Sequence, residues 1–192
     1  QALALLQKAK EIDGPMPTLV IAPTTVVFNW ENEIQKFTPN LTCLKIQGAD
    51  RKSLFKEIPN YDIVITSYAL VRRDIEKLKK FKFRYVILDE SQNIKNAISQ
   101  TAQSVKELQS DHKLALSGTP IENKLEELWS VFDFLMPGFL FNVAEFNYRY
   151  VTPIMERQDK TVEKRLKLQI FPFILRRMKR DVAKDLPDKV EN

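Results

Sequence analysis

The sequence predicts an α/β protein: a doubly wound, mostly parallel sheet with flanking helices, followed by a helical appendage. Five short runs rich in Val, Ile and Leu recur along the chain, at 18–23 (TLVIAP), 42–46 (TCLKI), 61–66 (YDIVIT), 85–90 (YVILDE) and 112–118 (HKLALSG). None alternates cleanly between apolar and polar residues, which is the pattern of strands covered on both faces. The segments between them carry helical spacing, and the runs start about twenty to twenty-seven residues apart, which leaves room for one crossover helix each. Strands alternating with helices in this way build parallel sheets.

Taken in order, the run at 18–23 is followed by VVFNWENEIQKF, where Val26, Val27, Trp30, Ile34 and Phe37 share one stripe. Leu54, Phe55 and Ile58 make a similar stripe after the second run, and Leu125, Leu128, Trp129, Phe132 and Leu135 after the fifth. Such stripes are the core-facing sides of amphipathic helices. Core packing is the expected role of Trp30 and Trp129. From about Phe139 the rhythm changes: FNVAEFNYRYVTPIM and KTVEKRLKLQIFPFILRRMKRDVAKDL show helical spacing, with Pro153 and Pro172 as expected breaks. KVEN, near Asn192, is the one further strand candidate. The expected division is therefore a sheet domain at 1–138 and a helical, basic segment at 139–192. No internal repeat or low-complexity tract interrupts it.

Composition narrows the class. A 44% hydrophobic and 29% charged chain of 192 residues can bury a full core, as a globular protein does. No apolar run approaches the roughly 20 residues of a membrane helix, and QALALLQKAK has neither the basic start nor the cleavage site of a signal peptide. The lone Cys43 excludes an internal disulfide and a Cys-cluster metal site, and a packed thiol is its expected role. An intracellular setting is expected, either the cytoplasm and nucleoid of a bacterium or the nucleus of a eukaryote. Charge is unevenly spread: from Lys160 to Lys184 nine Lys and Arg face two acids, a net +7 that leaves −2 on the rest of a chain whose total is +5. A basic tail on a near-neutral body suits a polyanion partner, and it equally suits a solvated helix face.

In a doubly wound sheet, ligands collect beyond the carboxyl ends of the strands. Those ends carry Pro23, Thr24 and Thr25 after the first run, and Thr66, Ser67 and Tyr68 after the third. Asp89 and Glu90 follow the fourth run, and Ser117, Gly118, Thr119 and Pro120 the fifth. A carboxylate such as Asp89 is suited to hold Mg²⁺, commonly through water, and one such as Glu90 to take a proton from an attacking water. Small hydroxyl residues and glycine let backbone approach phosphate closely. Singly each is weak, because such residues end strands everywhere; their ordered recurrence favours a functional rim.

The order LVIAPTTVVFNWENEIQKF, DIVITSYALVRRD, YVILDESQNIKN, LALSGTPIENKLEELWSVFDFLMPGFL and PFILRRMKRDVAKDLPDK resembles the Swi/Snf-type DNA-dependent ATPases, the chromatin-remodeller branch of helicase superfamily two. The likeness is co-linear over essentially the whole chain, and SGTPIENKLEELWS is its most specific part. It implies a RecA-like lobe of a motor that tracks along double-stranded DNA, contacts the phosphate backbone without reading sequence, and is powered by ATP with Mg²⁺. On that likeness Asp89 and Glu90 match the acidic pair, Asp89 for Mg²⁺ and Glu90 for the water. Ser117, Gly118 and Thr119 match the part that couples nucleotide state to DNA grip, and Gln92, standing where the family commonly has His, offers a donor and an acceptor suited to link that part to the nucleotide. Pro23, Thr24 and Thr25 match the first DNA-backbone motif, and Thr66, Ser67 and Tyr68 the second. Arg176, Arg177 and Lys179 fall in the region that joins two motor lobes or touches DNA.

Two departures stand out. Family members commonly carry Ala or Gly and then His after the acidic pair, where this chain has Ser91 and Gln92; Gln keeps a donor and an acceptor but loses a proton-sensitive group. The lone histidine, His112, receives no function. No GxxxxGK[ST] phosphate loop occurs, and with only Gly14, Gly48, Gly118 and Gly138 none is hidden. The resemblance implies that such a loop would end just before Gln1 and that a second lobe, with its arginine finger, would follow Asn192. The expectation is thus a piece of a larger motor that by itself holds no ATP or Mg²⁺ and is inactive. The rival is a non-enzymatic DNA- or protein-binding module with a RecA-like shape; retention of both Asp89 and Glu90 speaks against it. A nuclease is a distant third, lacking further metal ligands.

Overall fold

Five strands, β1 (Thr18–Ala22), β2 (Cys43–Lys45), β3 (Ile63–Ser67), β4 (Lys82–Leu88) and β5 (Gln109–Ala115), form one sheet in the order β2-β3-β1-β4-β5. This is seen in a computed structural model, which describes residues 1–118 and 125–177. Every pairing is parallel, with Ile21 opposite Thr66 on one side and Leu88 on the other. The predicted doubly wound α/β sheet is present. β1 and β3 are buried along their whole length, as runs without alternation require. β5 differs: it starts earlier than its apolar run, in the polar stretch Gln109–His112, and is only partly covered. Among the described strands only β4 pairs with it, and an edge position tolerates polar residues. His112 lies in the middle of β5, its ring 4.8 Å from that of Tyr85.

Helices cover both faces. The helices that belong to the sheet unit are α1 (Ala2–Asp13), α2 (Val27–Phe37), α3 (Tyr68–Leu78), α4 (Gln100–Lys106) and α5 (Leu125–Leu135). Successive strand residues point to opposite faces, so Leu19, Ile21, Val64, Val86 and Leu88 join α3, α4 and α5 in one core layer, while Val20, Ala22, Ile63, Ile65 and Ile87 join α1 and α2 in the other. Arg84 fastens α1 beneath the sheet: its guanidinium donates to Asp13 Oδ2 at 2.6 Å and to the backbone carbonyls of Ala9, Asp13 and Gly14. An Arg there satisfies carbonyls that the end of a helix leaves unpaired.

Two predicted stripes came out differently. On α2 only Val27 and Ile34 are buried, whereas Phe37 is 59% exposed and has Lys36 over its ring. The segment carrying Leu54, Phe55 and Ile58 is a 3₁₀ helix, Asp50–Asn60. A spacing of three suits a helix with three residues per turn, and Pro59 withholds the donor that a longer α-helix would use.

The chain divides into two compact units, Gln1–Val143 and Ala144–Asn192. In the second, α6 (Val143–Phe146) runs through a π-helical turn (Asn147–Val151) into α7 (Thr152–Met155), and α8 (Lys160–Ile170) leads to a 3₁₀ turn at Phe171–Phe173. Pro153 does not break the helical run as expected, because it sits in the first turn of α7, where a missing N–H is tolerated. Pro172 lies in the 3₁₀ turn that ends α8. Asp159 caps α8 by accepting from the amides of Thr161 and Val162, and Tyr150 donates to Gln169 Oε1 at 2.8 Å. KVEN lies outside the described residues.

Candidate functional site

From β1 the chain turns toward β2; from β4 it turns toward β5. These adjacent strands part company at their carboxyl ends, the place where a doubly wound sheet forms its crevice. Asp89 sits there. Its amide donates to Ile21 O at 2.8 Å, continuing the β1–β4 ladder by one residue. Glu90 then takes the left-handed conformation, φ 51° and ψ 58°, and turns the chain into a 3₁₀ turn at Ser91–Ile94. The Ser91 amide donates to Leu116 O and the Leu116 amide to Leu88 O, so the segments leaving β4 and β5 are tied together.

The side chains converge on the same place. Asp89 Oδ2 accepts from the indole of Trp30 at 2.8 Å, and Oδ1 from the Glu90 amide at 3.0 Å. Gln92 donates to Glu90 Oε2 at 2.7 Å, and Ser117 lies 3.4 Å from Gln92 Oε1. Tyr68 donates to the Asp89 backbone carbonyl at 2.8 Å. Burial, then the charges of Asp89 and Glu90, raise the Tyr68 pKa, so its hydroxyl remains a neutral donor. Both acids are half-buried.

The remaining predicted residues are placed as follows. Pro23, Thr24 and Thr25 form the turn between β1 and α2, with both threonines exposed. Thr66, Ser67 and Tyr68 are all buried; the Thr66 hydroxyl donates to Ile46 O, and the Tyr68 hydroxyl is the one that reaches Asp89. Ser117 is half-buried and Gly118 exposed. Arg176 and Arg177 are exposed in the second unit. Thr119 and Lys179 lie outside the described residues. Trp129 packs as expected, donating to Phe141 O at 3.2 Å. Packing alone does not describe Trp30, whose N–H reaches the acidic pair. The stripe placed Trp30 against the sheet, where an indole N–H needs an acceptor, but the sequence did not say which group that is.

Among the described residues no three His, Cys, Asp or Glu side chains come together to hold a metal. Asp89 accepts one hydrogen bond on each oxygen, and a carboxylate has roughly four acceptor positions. That capacity fits a hard cation that keeps most of its water and arrives with phosphate, and does not fit an all-protein cage.

An acidic pair at the switch point of a doubly wound sheet, wired through Gln92 to the segment after the next strand, defines a RecA-like lobe. The chain belongs to the SNF2-related family: the model of the SNF2-related domain matches residues 1–192. It is 41% identical over 189 residues to the TATA-binding protein-associated factor BTAF1 of Arabidopsis thaliana, covering 91% of this chain and 9% of that protein. It is 43% identical over 180 residues to the putative ATP-dependent helicase/translocase YwqA of Bacillus subtilis, covering 91% of this chain and 20% of that protein. The Sulfolobus solfataricus SWI2/SNF2 ATPase core, solved in complex with double-stranded DNA, superposes with a TM-score of 0.89 at 43% identity, over 100% of this chain and 40% of that one. The chain thus spans well under half the length of each.

Proposed function

We propose that the chain is the first motor lobe of an ATP-dependent double-stranded DNA translocase, and that it supplies the carboxylates of the hydrolysis site. The observation that carries this reading is the continuous connection from Asp89 and Glu90 through Gln92 to Ser117. Support comes from the DNA complex of the Sulfolobus core and the helicase/translocase name of the Bacillus relative.

Glu90 would be the base: it would take the proton from the water that attacks the terminal phosphorus. The bond from that phosphorus to the ADP oxygen would break and ADP leave, while Gln92 holds the Glu90 carboxylate in place. Asp89 would hold Mg²⁺ through its unused acceptor positions, and the ion would offset charge on the phosphates. Ser117 and Gly118, with Thr119, are the coupling segment, because a shift at Glu90 is passed to them through Gln92. DNA phosphates would run along the rim at Thr24 and Thr25 beside Pro23, with the buried Thr66, Ser67 and Tyr68 supporting that edge from behind; exposed hydroxyls of this kind contact phosphates and leave base edges unread. Arg176, Arg177 and Lys179 would brace a second RecA-like lobe or touch DNA. That second lobe would bring the arginine finger.

In a protein that joins this chain to a phosphate loop and a second lobe, duplex DNA should stimulate phosphate release. Glu90→Gln should lower that release by roughly 10²–10⁴-fold, the contribution of a positioned base, while leaving nucleotide binding largely intact. Near-normal turnover in the variant would place the base elsewhere.

A further inference from the structure

Among the described residues that hold Asp89, only the Trp30 indole reaches its carboxylate from another element, at 2.8 Å from Oδ2. Trp30 stands on α2 between the buried Val27 and Ile34, and its ring packs on the layer containing Val20, Ala22, Ile65 and Ile87. α2 follows β1 and Asp89 follows β4, so the bond spans the two strands that diverge at the switch point.

We propose that Trp30 is a positioning residue for Asp89, a neutral donor that fixes the carboxylate across the switch point and presets its remaining acceptor positions for a divalent cation. The proposal rests on the metal-holding role of Asp89 put forward above. An indole suits the task for three physical reasons. It donates one hydrogen bond and accepts none, so it orients one oxygen and leaves the other to the Glu90 amide. It carries no charge, so the carboxylate keeps its full attraction for a cation, which a Lys or Arg in that place would offset. Its rigid ring is locked by packing, so little side-chain freedom is lost when the bond forms. Groups that orient a ligand in this way typically change metal affinity by 10–100-fold when removed.

The chain contains two tryptophans, so its ¹⁵N spectrum has two indole N–H signals, which Trp129→Phe assigns. Asp89→Asn should shift the Trp30 signal, because the acceptor loses its charge, and leave that of Trp129 in place. A Trp30 signal that does not respond would overturn the proposal. Trp30→Phe keeps an aromatic ring and removes the donor. With Mn²⁺ as the probe, half-loss of the Asp89 and Glu90 amide signals should need about 10-fold more metal in this variant than in the unaltered chain. Equal Mn²⁺ requirements would likewise overturn it, since packing alone would then account for Trp30. If Mn²⁺ reaches these amides in neither protein while the indole still responds to Asp89→Asn, the hold of Trp30 on Asp89 is supported and the metal role of Asp89 is what fails.

Discussion

Glu90 occupies a backbone conformation that costs an L-residue roughly 1–2 kcal/mol, and that glycine adopts freely. A strand that needed only to turn here would be served better by Gly or Asn. The carboxylate is therefore retained against a local cost, as strained residues at functional sites are. Glu90→Gly should leave the folded chain as stable or raise its stability by about 1 kcal/mol, read by urea unfolding, even though it removes the proposed base. A clear loss of stability would show that the Glu90–Gln92 bond outweighs the strain. Asp89 was legible as a site residue from its place after a buried strand. Trp30 was not, because a helical stripe says which residues face the sheet and not where a polar tip ends.

At the scale of elements, the joints below the sheet are ionic. Asp62, just before β3, accepts from Lys10 of α1 at 2.9 Å and from the amide and hydroxyl of Thr42 at 2.7 and 2.8 Å. Burial would raise its pKa, but these bonds outweigh burial and hold the carboxyl below the usual carboxylate range. A lowered folded value means that the charged form stabilises the fold. The contribution is complete above the unfolded value of about 3.9 and is lost as pH falls below it. Asp62→Asn should thus be less stable than the unaltered chain near neutrality, and the gap should narrow toward about pH 3 in urea melts at the two pH values. A gap independent of pH would assign the effect to packing. Runs buried on both faces, such as Thr18–Ala22 and Ile63–Ser67, announced their strands. The polar start of β5 and the 3₁₀ course of Asp50–Asn60 did not, since an edge strand and a three-residue repeat both escape the patterns of central strands and α-helices.

For the whole molecule, the +7 carried between Lys160 and Lys184 and, separately, the exposed Thr24 and Thr25 of the first unit each suit phosphate rather than base edges. Duplex binding by the chain should be weak, indifferent to sequence and steeply salt-dependent, falling by orders of magnitude between low and moderate salt. A titration that hardly changes with salt would argue against phosphate contacts, and strong preference for one sequence would favour a dedicated binding module.

On the proposed function, this chain would contribute the catalytic carboxylates, and the grip on phosphate would come from a loop of a kind its sequence lacks. Its sequence has no GxxxxGK[ST], so neither the amides that wrap the β- and γ-phosphates nor the lysine that offsets their charge is supplied. Asp89 alone would have to hold an ion that prefers water. Calorimetry with Mg-ATP titrated into the 192-residue chain measures this directly. No binding heat is expected at micromolar nucleotide, and no phosphate release with duplex DNA present. Micromolar binding, or DNA-stimulated release, would contradict that expectation.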